Sequence, residues 1–388
     1  MAILNLTRAN QALKLFYLDG LREQLNYASP ILSVIERDSE NVFGDKIVMA
    51  LRYGRNGGIG NRADDGDLPT ANSRKTKQAQ WDTKNIFARI QITDKTMRAS
   101  RSNEGAFVSL LEADLEDAQN DAKDNLARQV FGDGKGKLAT TAATAASATV
   151  QVDNAQYLFE GMIVDVVNPA DGVVKHSGLE ILEVDDQSAT PSVKLSAPVT
   201  TDADDILVVS GNYGLELTGF GAVFTPDNTL YNINRAQNKW FNPIVKPIGG
   251  EISEIGIQEL IDEAERRAGG KIDFLSSSYG VRRGYQNLLL ATKQIVEVMD
   301  LKGGYKVLSY NGMPFSVDKY NPKGTLYGLD TSTWKQYQLM DFDWLEEDGA
   351  VLSRVANKAA WEAVLAKYAD LGCSKPRGNF IATGIVEH

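Results

Sequence analysis

The fold is decided between residues 46 and 131, which begin KIVMALRYGRNGGIG (46–60) and end EGAFVSLLEADLEDAQNDAKDNLARQVF (104–131). The first stretch starts as a strand, breaks at a run of glycines and stays polar until apolar residues alternate again between Ile86 and Ile92. A segment this polar carries too little apolar surface to build a core of its own. We therefore expect its conformation to depend on contacts outside the monomer.

The second stretch has the pattern of one long amphipathic helix. Its apolar residues recur at steps of three and four, and acidic residues occupy the opposite face. The apolar positions are Phe107, Leu110, Leu111, Leu115, Ala118, Ala122, Leu126 and Val130. Ser102 or Asn103 is a candidate N-cap, and glycines at 132 and 134 are a natural stop. At about 1.5 Å per residue, such a helix is about 40 Å long.

Composition indicates an ordinary globular protein of two or three domains, with 388 residues, 43% hydrophobic and 24% charged. The single cysteine, Cys373, allows no internal disulfide and fits a reducing compartment, where a lone thiol is usually a small buried apolar group. No signal peptide and no membrane span is predicted. The net charge of −10 argues against an ordinary nucleic-acid binder, because phosphate neutralisation needs clustered cations.

The rest of the chain changes character twice. From about 149 to 211, short β-type runs alternate with turn signals, which predicts a compact β module inserted as a unit. From about 215 onward the pattern is α+β, with a helix that ends at Gly269 and a hairpin turn at Asn311-Gly312. The segment around 357–371 has a helical stripe, and the choice between a helix and a strand stays open there. Near the N-terminus, residues 7–28 read as a helix.

Nothing in the sequence points to catalysis. His176 and His388 are the only histidines, which makes a histidine triad or a two-histidine zinc site a poor interpretation. The glycine run at 54–60 lacks the Gly-Lys-Ser/Thr end of a phosphate loop. An acidic cluster reads as a solvated turn and contains Asp341, Asp343, Glu346, Glu347 and Asp348. We predict that the protein is not an enzyme and has no cofactor and no metal; a soluble hydrolase using the cluster near Asp341 is the alternative of another class.

The order of these parts resembles a known family. An N-terminal arm, a long charged hairpin, a long helix and an α+β domain are the layout of tailed-bacteriophage major capsid proteins with the Hong Kong 97-type fold. Stretches that resemble this family are PDNTLYNINR (226–235) with Trp240, IDFL (272–275), YNGMPF (310–315) and GTLYGL (324–329). The resemblance covers nearly all of the chain apart from the β module.

The resemblance implies a domain plan for an α+β capsid fold. It assigns residues 1–44 to an N-terminal arm, 45–95 to an extended loop and 96–137 to a spine helix in the peripheral domain. Residues 138–215 form an inserted β-rich module, similar to exterior decorations of some members. Residues 216–335 form the axial domain, and 336–388 return to the peripheral domain.

The resemblance also implies the function and the partners. It predicts a structural subunit that assembles as hexamers and pentamers into an icosahedral shell around double-stranded DNA. The location is the virion, after assembly in the host cytoplasm. A portal and a decoration protein are expected partners. A separate scaffolding protein is expected as well, because the sequence runs from Met1 almost directly into the arm. An encapsulin-like compartment shell is the closest alternative, and no membrane is involved.

Subunit contacts are expected on the extended loop. The candidates are Arg52, Arg55, Asp64, Asp65, Asp67, Arg74, Lys75, Lys77 and Trp81. Mixed charges of this kind fix orientation and partner choice more than affinity. Some relatives crosslink subunits from a loop lysine to a neighbour's asparagine, and Lys75 and Lys77 lie in the corresponding segment. No acceptor is recognisable, so we expect non-covalent packing.

Overall fold

The computed structural model describes residues 29–54, 56–64, 66–70, 72–95, 104–291, 298–301, 305–346 and 351–388. Several predictions from the sequence lie outside these residues. They are the arm helix at 7–28, the N-cap at Ser102 or Asn103, the contact candidates Arg55 and Asp65, and the acidic residues Glu347 and Asp348.

The described residues contain five α-helices and a larger set of strands, numbered here in chain order. The helices α1–α5 are Pro30–Val34, Glu104–Phe131, Phe220–Phe224, Glu254–Ala268 and Tyr279–Ala291. The strands β1–β23 are Glu36–Asp38, Val42–Phe43, Lys46–Arg52, Thr76–Asp82, Lys84–Thr93, Lys137–Thr140, Thr144–Gln151, Ile163–Val167, Val174–Asp185, Ser192–Thr201, Ile206–Val209, Thr229–Leu230, Ile233–Asn234, Ile244–Pro247, Phe274–Ser277, Val298–Leu301, Tyr305–Tyr310, Met313–Val317, Leu326–Leu329, Trp334–Trp344, Ser353–Arg354, Ala360–Cys373 and Phe380–Thr383.

A five-stranded sheet lies beside the long helix. Its order is β1-β20-β22-β21, and β5 also pairs with β22 along its whole length. Residues 360–373 therefore form a strand, which answers the question that the sequence left open. Strand β22 is buried on both faces, so its apolar residues show no two-residue alternation. Because both faces are buried, Trp361, Val364 and Tyr368 follow one another at the three- and four-residue steps that are typical of a helix.

The predicted long helix is confirmed as α2 and packs against β5. Its described apolar residues Ala122, Leu126 and Val130 are buried in the main core. Where α2 ends, the Phe131 ring meets the Phe220 ring edge-on with centroids 5.5 Å apart. This contact connects the helix to the start of the second half of the chain.

A seven-stranded sheet has the order β14-β23-β19-β15-β18-β17-β16, with α4 and α5 packed on it. The Ser253 hydroxyl accepts from the Gly256 N–H at the start of α4, and Gly269, at φ 60°, ends that helix as predicted. Asn311 and Gly312 both have positive φ and join β17 to β18, which confirms the predicted hairpin turn. Strand β23 lies in this sheet, so the segment 336–388 divides between two sheets.

Strands β6–β11 form a separate six-stranded sheet with the order β6-β11-β8-β9-β10-β7. Backbone hydrogen bonds from Ala142 to Gln151 and from Asp153 to Thr140 bring its two ends together and close it around its own core. The segment enters and leaves the body at one place, where the Gly214 N–H donates to the Lys135 carbonyl over 3.2 Å. We call residues 137–211 the β module.

Candidate functional site

The polar excursion of the sequence is a β-hairpin with a long loop. Strands β3 and β4 pair antiparallel from Lys46↔Asp82 to Arg52↔Thr76, and residues 53–75 connect them. The alternation of the strands places Ile47, Leu51 and Ala79 toward the interior, where all three are buried. The expectation that this whole segment depends on contacts outside the monomer is therefore wrong for the strands. Their apolar face is covered by the chain itself.

The surface beneath the hairpin is aromatic. Trp81 stacks on Tyr231 with ring centroids 4.0 Å apart and meets Tyr337 edge-on at 5.6 Å. Tyr53 stacks on Trp240 at 4.9 Å, and the Gln80 N–H donates to the Tyr231 carbonyl. We call Tyr231, Trp240 and Tyr337 the aromatic seat. Stacked pairs of this kind add about 0.5–1.5 kcal/mol each beyond the area that they bury.

A glycine makes the seat possible. A Cβ at Gly372 would lie 2.7 Å from Cζ2 of Trp81, which no side chain tolerates without movement of the ring. Gly372 belongs to the buried strand β22, so the hairpin lies directly against the backbone of the five-stranded sheet. A glycine inside a strand often marks this kind of close approach.

The contact candidates divide into two groups. Trp81 and Lys77 face their own chain, since the Lys77 ammonium donates to the Asn238 side-chain oxygen over 3.2 Å. The remaining described candidates are exposed on the hairpin: Arg52, Asp64, Asp67, Arg74 and Lys75. The structure thus makes Trp81 and Lys77 determinants of how the hairpin is seated.

Two apolar residues of the loop are not among the contact candidates that the sequence pattern predicts. Ile59 is 83% exposed and Leu68 is 88% exposed, and both lie in the loop between the strands. Single exposed aliphatic side chains are common on protein surfaces, so these two residues become contact candidates only through their position on the loop that is predicted to contact a neighbour. The signal was present in the sequence as two isolated aliphatic residues among glycines and charges.

Asp341, a partly buried member of the acidic cluster, is held between two cations. The Asp341 carboxylate lies 2.8 Å from the Arg37 guanidinium and 2.6 Å from the Lys367 ammonium. Burial would raise the pKa of Asp341, but the charges of Lys367 and Arg37 outweigh it and hold that pKa below its ordinary value. A carboxylate held charged between two cations cannot serve as a general acid. Asp343 accepts from the Trp344 N–H, and Glu346 is exposed.

Other groups with potential chemistry are buried or turned inward. Cys373 is fully buried, as expected, and burial raises the pKa of its thiol to about 12. The His176 ring nitrogen accepts from the Thr200 N–H within the β module. In the part of the chain that the structure describes, no three His, Cys, Asp or Glu side chains come close enough to hold a metal ion. Within those same residues, no helix is both long and apolar enough to cross a bilayer.

Comparison with known proteins identifies the fold. No family model matches the sequence, and no curated protein matches it. Among solved structures, the chain is similar to the subunit in the capsid asymmetric unit of cyanophage A-1(L), with a TM-score of 0.57 and 11% identity over 92% of both chains. At this identity the likeness shows the fold alone. The chain has the α+β, Hong Kong 97-type capsid fold, as predicted.

Two further solved structures are similar at lower scores. The holo-SrpI encapsulin complex from Synechococcus elongatus PCC 7942 has a TM-score of 0.46 and 9% identity over 94% of this chain and 92% of the other. The capsid of a native GTA particle has a TM-score of 0.46 and 8% identity over 92% and 90%. Likeness at this level supports no further conclusion.

Proposed function

We propose that this chain is the major capsid protein of a tailed bacteriophage. It assembles as hexamers and pentamers into an icosahedral head shell that encloses double-stranded DNA, and it carries out no catalysis. One observation supports this most strongly: a capsid fold over 92% of the chain carries a hairpin loop with two exposed aliphatic residues, Ile59 and Leu68.

The hairpin supplies the physical argument. Its strands are fixed by the aromatic seat, so the loop leaves the body in a defined direction. A rigid base lowers the entropy lost when the tip binds a neighbour. Head-to-tail contacts of one kind generate closed rings when the rotation closes, and many modest contacts then give a stable container.

The domain plan is part of the proposal. The five-stranded sheet with α2 supports a peripheral domain that includes the spine helix at 96–137. The seven-stranded sheet with α4 and α5 supports an axial domain within 216–335. The hairpin belongs to the extended loop at 45–95, the β module to the insertion at 138–215, and residues 1–44 to the arm. Assembly in the host cytoplasm with separate scaffolding, portal and decoration proteins rests on the resemblance alone.

The charge of the β module indicates which way it faces. Residues 137–211 contain eight Asp and three Glu against three Lys and no Arg, a net charge of −8 out of −10 for the chain. Packed DNA is a dense polyanion and repels such a surface. We therefore place the module on the outside of the shell.

The orientation can be tested with a thiol label. Gln187 is exposed at a turn of the module, and the only native thiol is buried. In Gln187→Cys, a membrane-impermeant maleimide should react fully with intact, DNA-filled particles. Labelling that appears only after the particles are broken would contradict the exterior position.

Shortening the hairpin tests the function itself. The Tyr53 N–H donates to the Lys75 carbonyl, so an Asn-Gly turn can replace residues 54–74 and keep both the strands β3 and β4 and the contact of Tyr53 with Trp240. This variant should fold but fail to form particles in sucrose-gradient sedimentation, whereas the full-length chain should form them. Particles formed equally well by the shortened chain would refute the proposal. Native particles that hold a protein cargo in place of DNA would indicate the encapsulin-like alternative.

A further inference from the structure

Opposite charges are segregated along this chain. The β module has a net charge of −8, while the loop residues 53–75 of the hairpin hold four Arg and Lys against three Asp, a net charge of +1. Arg52, Arg74 and Lys75 are exposed, and none of them forms an ion pair within the described residues.

The β module also has an apolar patch, formed by Phe159, Ile163 and Leu182, which are 60%, 53% and 49% exposed. Ile163 of β8 pairs with Glu180 of β9, and Phe159 begins the turn that leads into β8. Leu182 is an extra residue in β9, because Ile181 and Glu183 pair with consecutive residues of β10. A bulge of this kind turns a side chain outward.

The patch is not needed for the core of the module. Val164, Val166 and Ile181, on the same two strands, are completely buried and supply that core. Each apolar residue has an exposed carboxylate beside it: Glu160 follows Phe159, Glu180 pairs with Ile163, and Glu183 follows Leu182. Lys194 lies 4.0 Å from Glu183. Apolar side chains within an acidic rim fit a partner that offers aliphatic groups within a basic rim.

The hairpin loop has that complementary surface. Its exposed aliphatic residues are Ile59 and Leu68. Its exposed cations Arg74 and Lys75 lie near the base of the loop, next to Arg52 of β3, and Asp64 and Asp67 are exposed close to Leu68 in sequence. Within the described part of one subunit, the loop 56–75 and the β module form no hydrogen bond or ion pair with each other. The two modules of neighbouring copies, each at −8, repel one another and are poor partners for themselves.

We propose that the hairpin loop of one subunit docks on the Phe159–Ile163–Leu182 patch of the β module of a second copy. This inference rests on the proposed function and names the partner surface of the same hairpin. The contact is head-to-tail, so each subunit both gives a loop and receives one. Ile59 and Leu68 fill the patch, and Arg74 and Lys75 face Glu180 and Glu183.

Charge reversal with rescue tests the docking. One variant combines Arg74→Glu with Lys75→Glu, a second combines Glu180→Lys with Glu183→Lys, and a third has all four changes. Each of the first two should raise the protein concentration needed for assembly about tenfold at low salt, since loss of about 1.4 kcal/mol per contact is a tenfold effect. The third should assemble close to the native level, because the attraction is restored with exchanged signs.

Controls separate docking from general effects of charge. Asp186→Lys with Gln187→Lys adds nearly as much positive charge to the module outside the patch and should assemble like the native chain. All the substituted side chains are exposed, and circular dichroism should confirm that each variant is folded. Ile59→Ser with Leu68→Ser should weaken assembly without changing its dependence on salt.

The outcomes are distinct from those of the proposed function. Suppose that the native chain forms particles. If the variants with two substitutions then assemble equally well, or if the variant with all four substitutions assembles no better than they do, the docking is refuted and the proposed function is not. The same holds if the control variant loses assembly. If the native chain forms no particles, both the docking and the proposed function fail.

Discussion

Asp370 gives the sharpest test of the energetics of this fold. Its carboxylate is completely buried where β22 meets the segment that follows the β module. One oxygen accepts from the N–H groups of Thr218 and Leu371, over 2.7 and 2.8 Å, and the other from the Thr218 hydroxyl over 2.8 Å. Burial raises the pKa of this carboxyl from 3.8 to about 7.

The sign of the effect on stability follows from that shift. Because the folded protein binds the proton more tightly than the unfolded chain does, Asp370 favours folding most below about pH 4. The advantage is lost as the pH rises through about 7. A shift of this size corresponds to about 4 kcal/mol, which is an upper bound for a buried group.

Asp370→Asn should remove this pH dependence. An amide can keep all three hydrogen bonds, because its oxygen accepts from the two N–H groups and its NH₂ donates to the Thr218 hydroxyl. We expect the variant to be more stable than the native chain at pH 8 by about 2–4 kcal/mol and equal to it near pH 4. The measurement is urea unfolding of both chains, in the same assembly state, between pH 4 and pH 8.

The Asp341 carboxylate provides a matched control, because its contribution to stability depends on pH with the opposite sign. Lys367 and Arg37 hold the pKa of Asp341 low despite its burial, so its contribution is present at neutral pH and lost on acidification. Asp341→Asn should therefore destabilise the chain at pH 8 and leave it unchanged in acid. If Asp370→Asn is less stable than the native chain at pH 8, or if its stability depends on pH as that of the native chain does, the pKa of Asp370 is not raised by burial.

Three further predictions concern the body and the hairpin. Arg128→Ala should lower the free energy of unfolding in urea by about 3–5 kcal/mol, because it leaves the buried Glu216 carboxylate without its cation. The paired variant Arg128→Met with Glu216→Leu should recover most of that loss. Equal stability of the single and paired variants would contradict this prediction. Trp81→Ala should lower the free energy of unfolding by about 2–4 kcal/mol and reduce the yield of particles, because the hairpin loses its stacked contact with the aromatic seat. An unchanged yield would show that the aromatic seat does not direct the loop. Denaturing electrophoresis of native particles should give the monomer band alone. The variant Lys75→Arg with Lys77→Arg should assemble normally. A ladder of larger species in the native protein that is missing in this variant would reveal covalent crosslinks.

Local signals in the sequence predicted the elements that depend on local physics. The stripe of α2, the glycine end of α4 and the Asn311-Gly312 turn each follow from spacing or backbone freedom within a few residues. Long-range burial is not visible at that scale. Strand β22 was ambiguous because partners more than two hundred residues away, in β5, cover one of its edges.

The site was predictable only in part for the same reason. The hairpin and its charges can be read from the sequence, but the aromatic seat joins Trp81 to Tyr231 and Tyr337, which no local pattern connects. Trp81 is a predicted subunit contact, and its packing on Tyr231 and Tyr337 within its own subunit could not be read from the sequence. The exposure of Ile59 and Leu68 likewise depends on where the seat fixes the hairpin.

Electron microscopy of the purified full-length chain tests the central claim most directly. We expect closed round particles of uniform size, in which the hairpin loop of each subunit lies on its neighbour. A monodisperse single molecule at high protein concentration, with residues 53–75 protected by its own body, would contradict it.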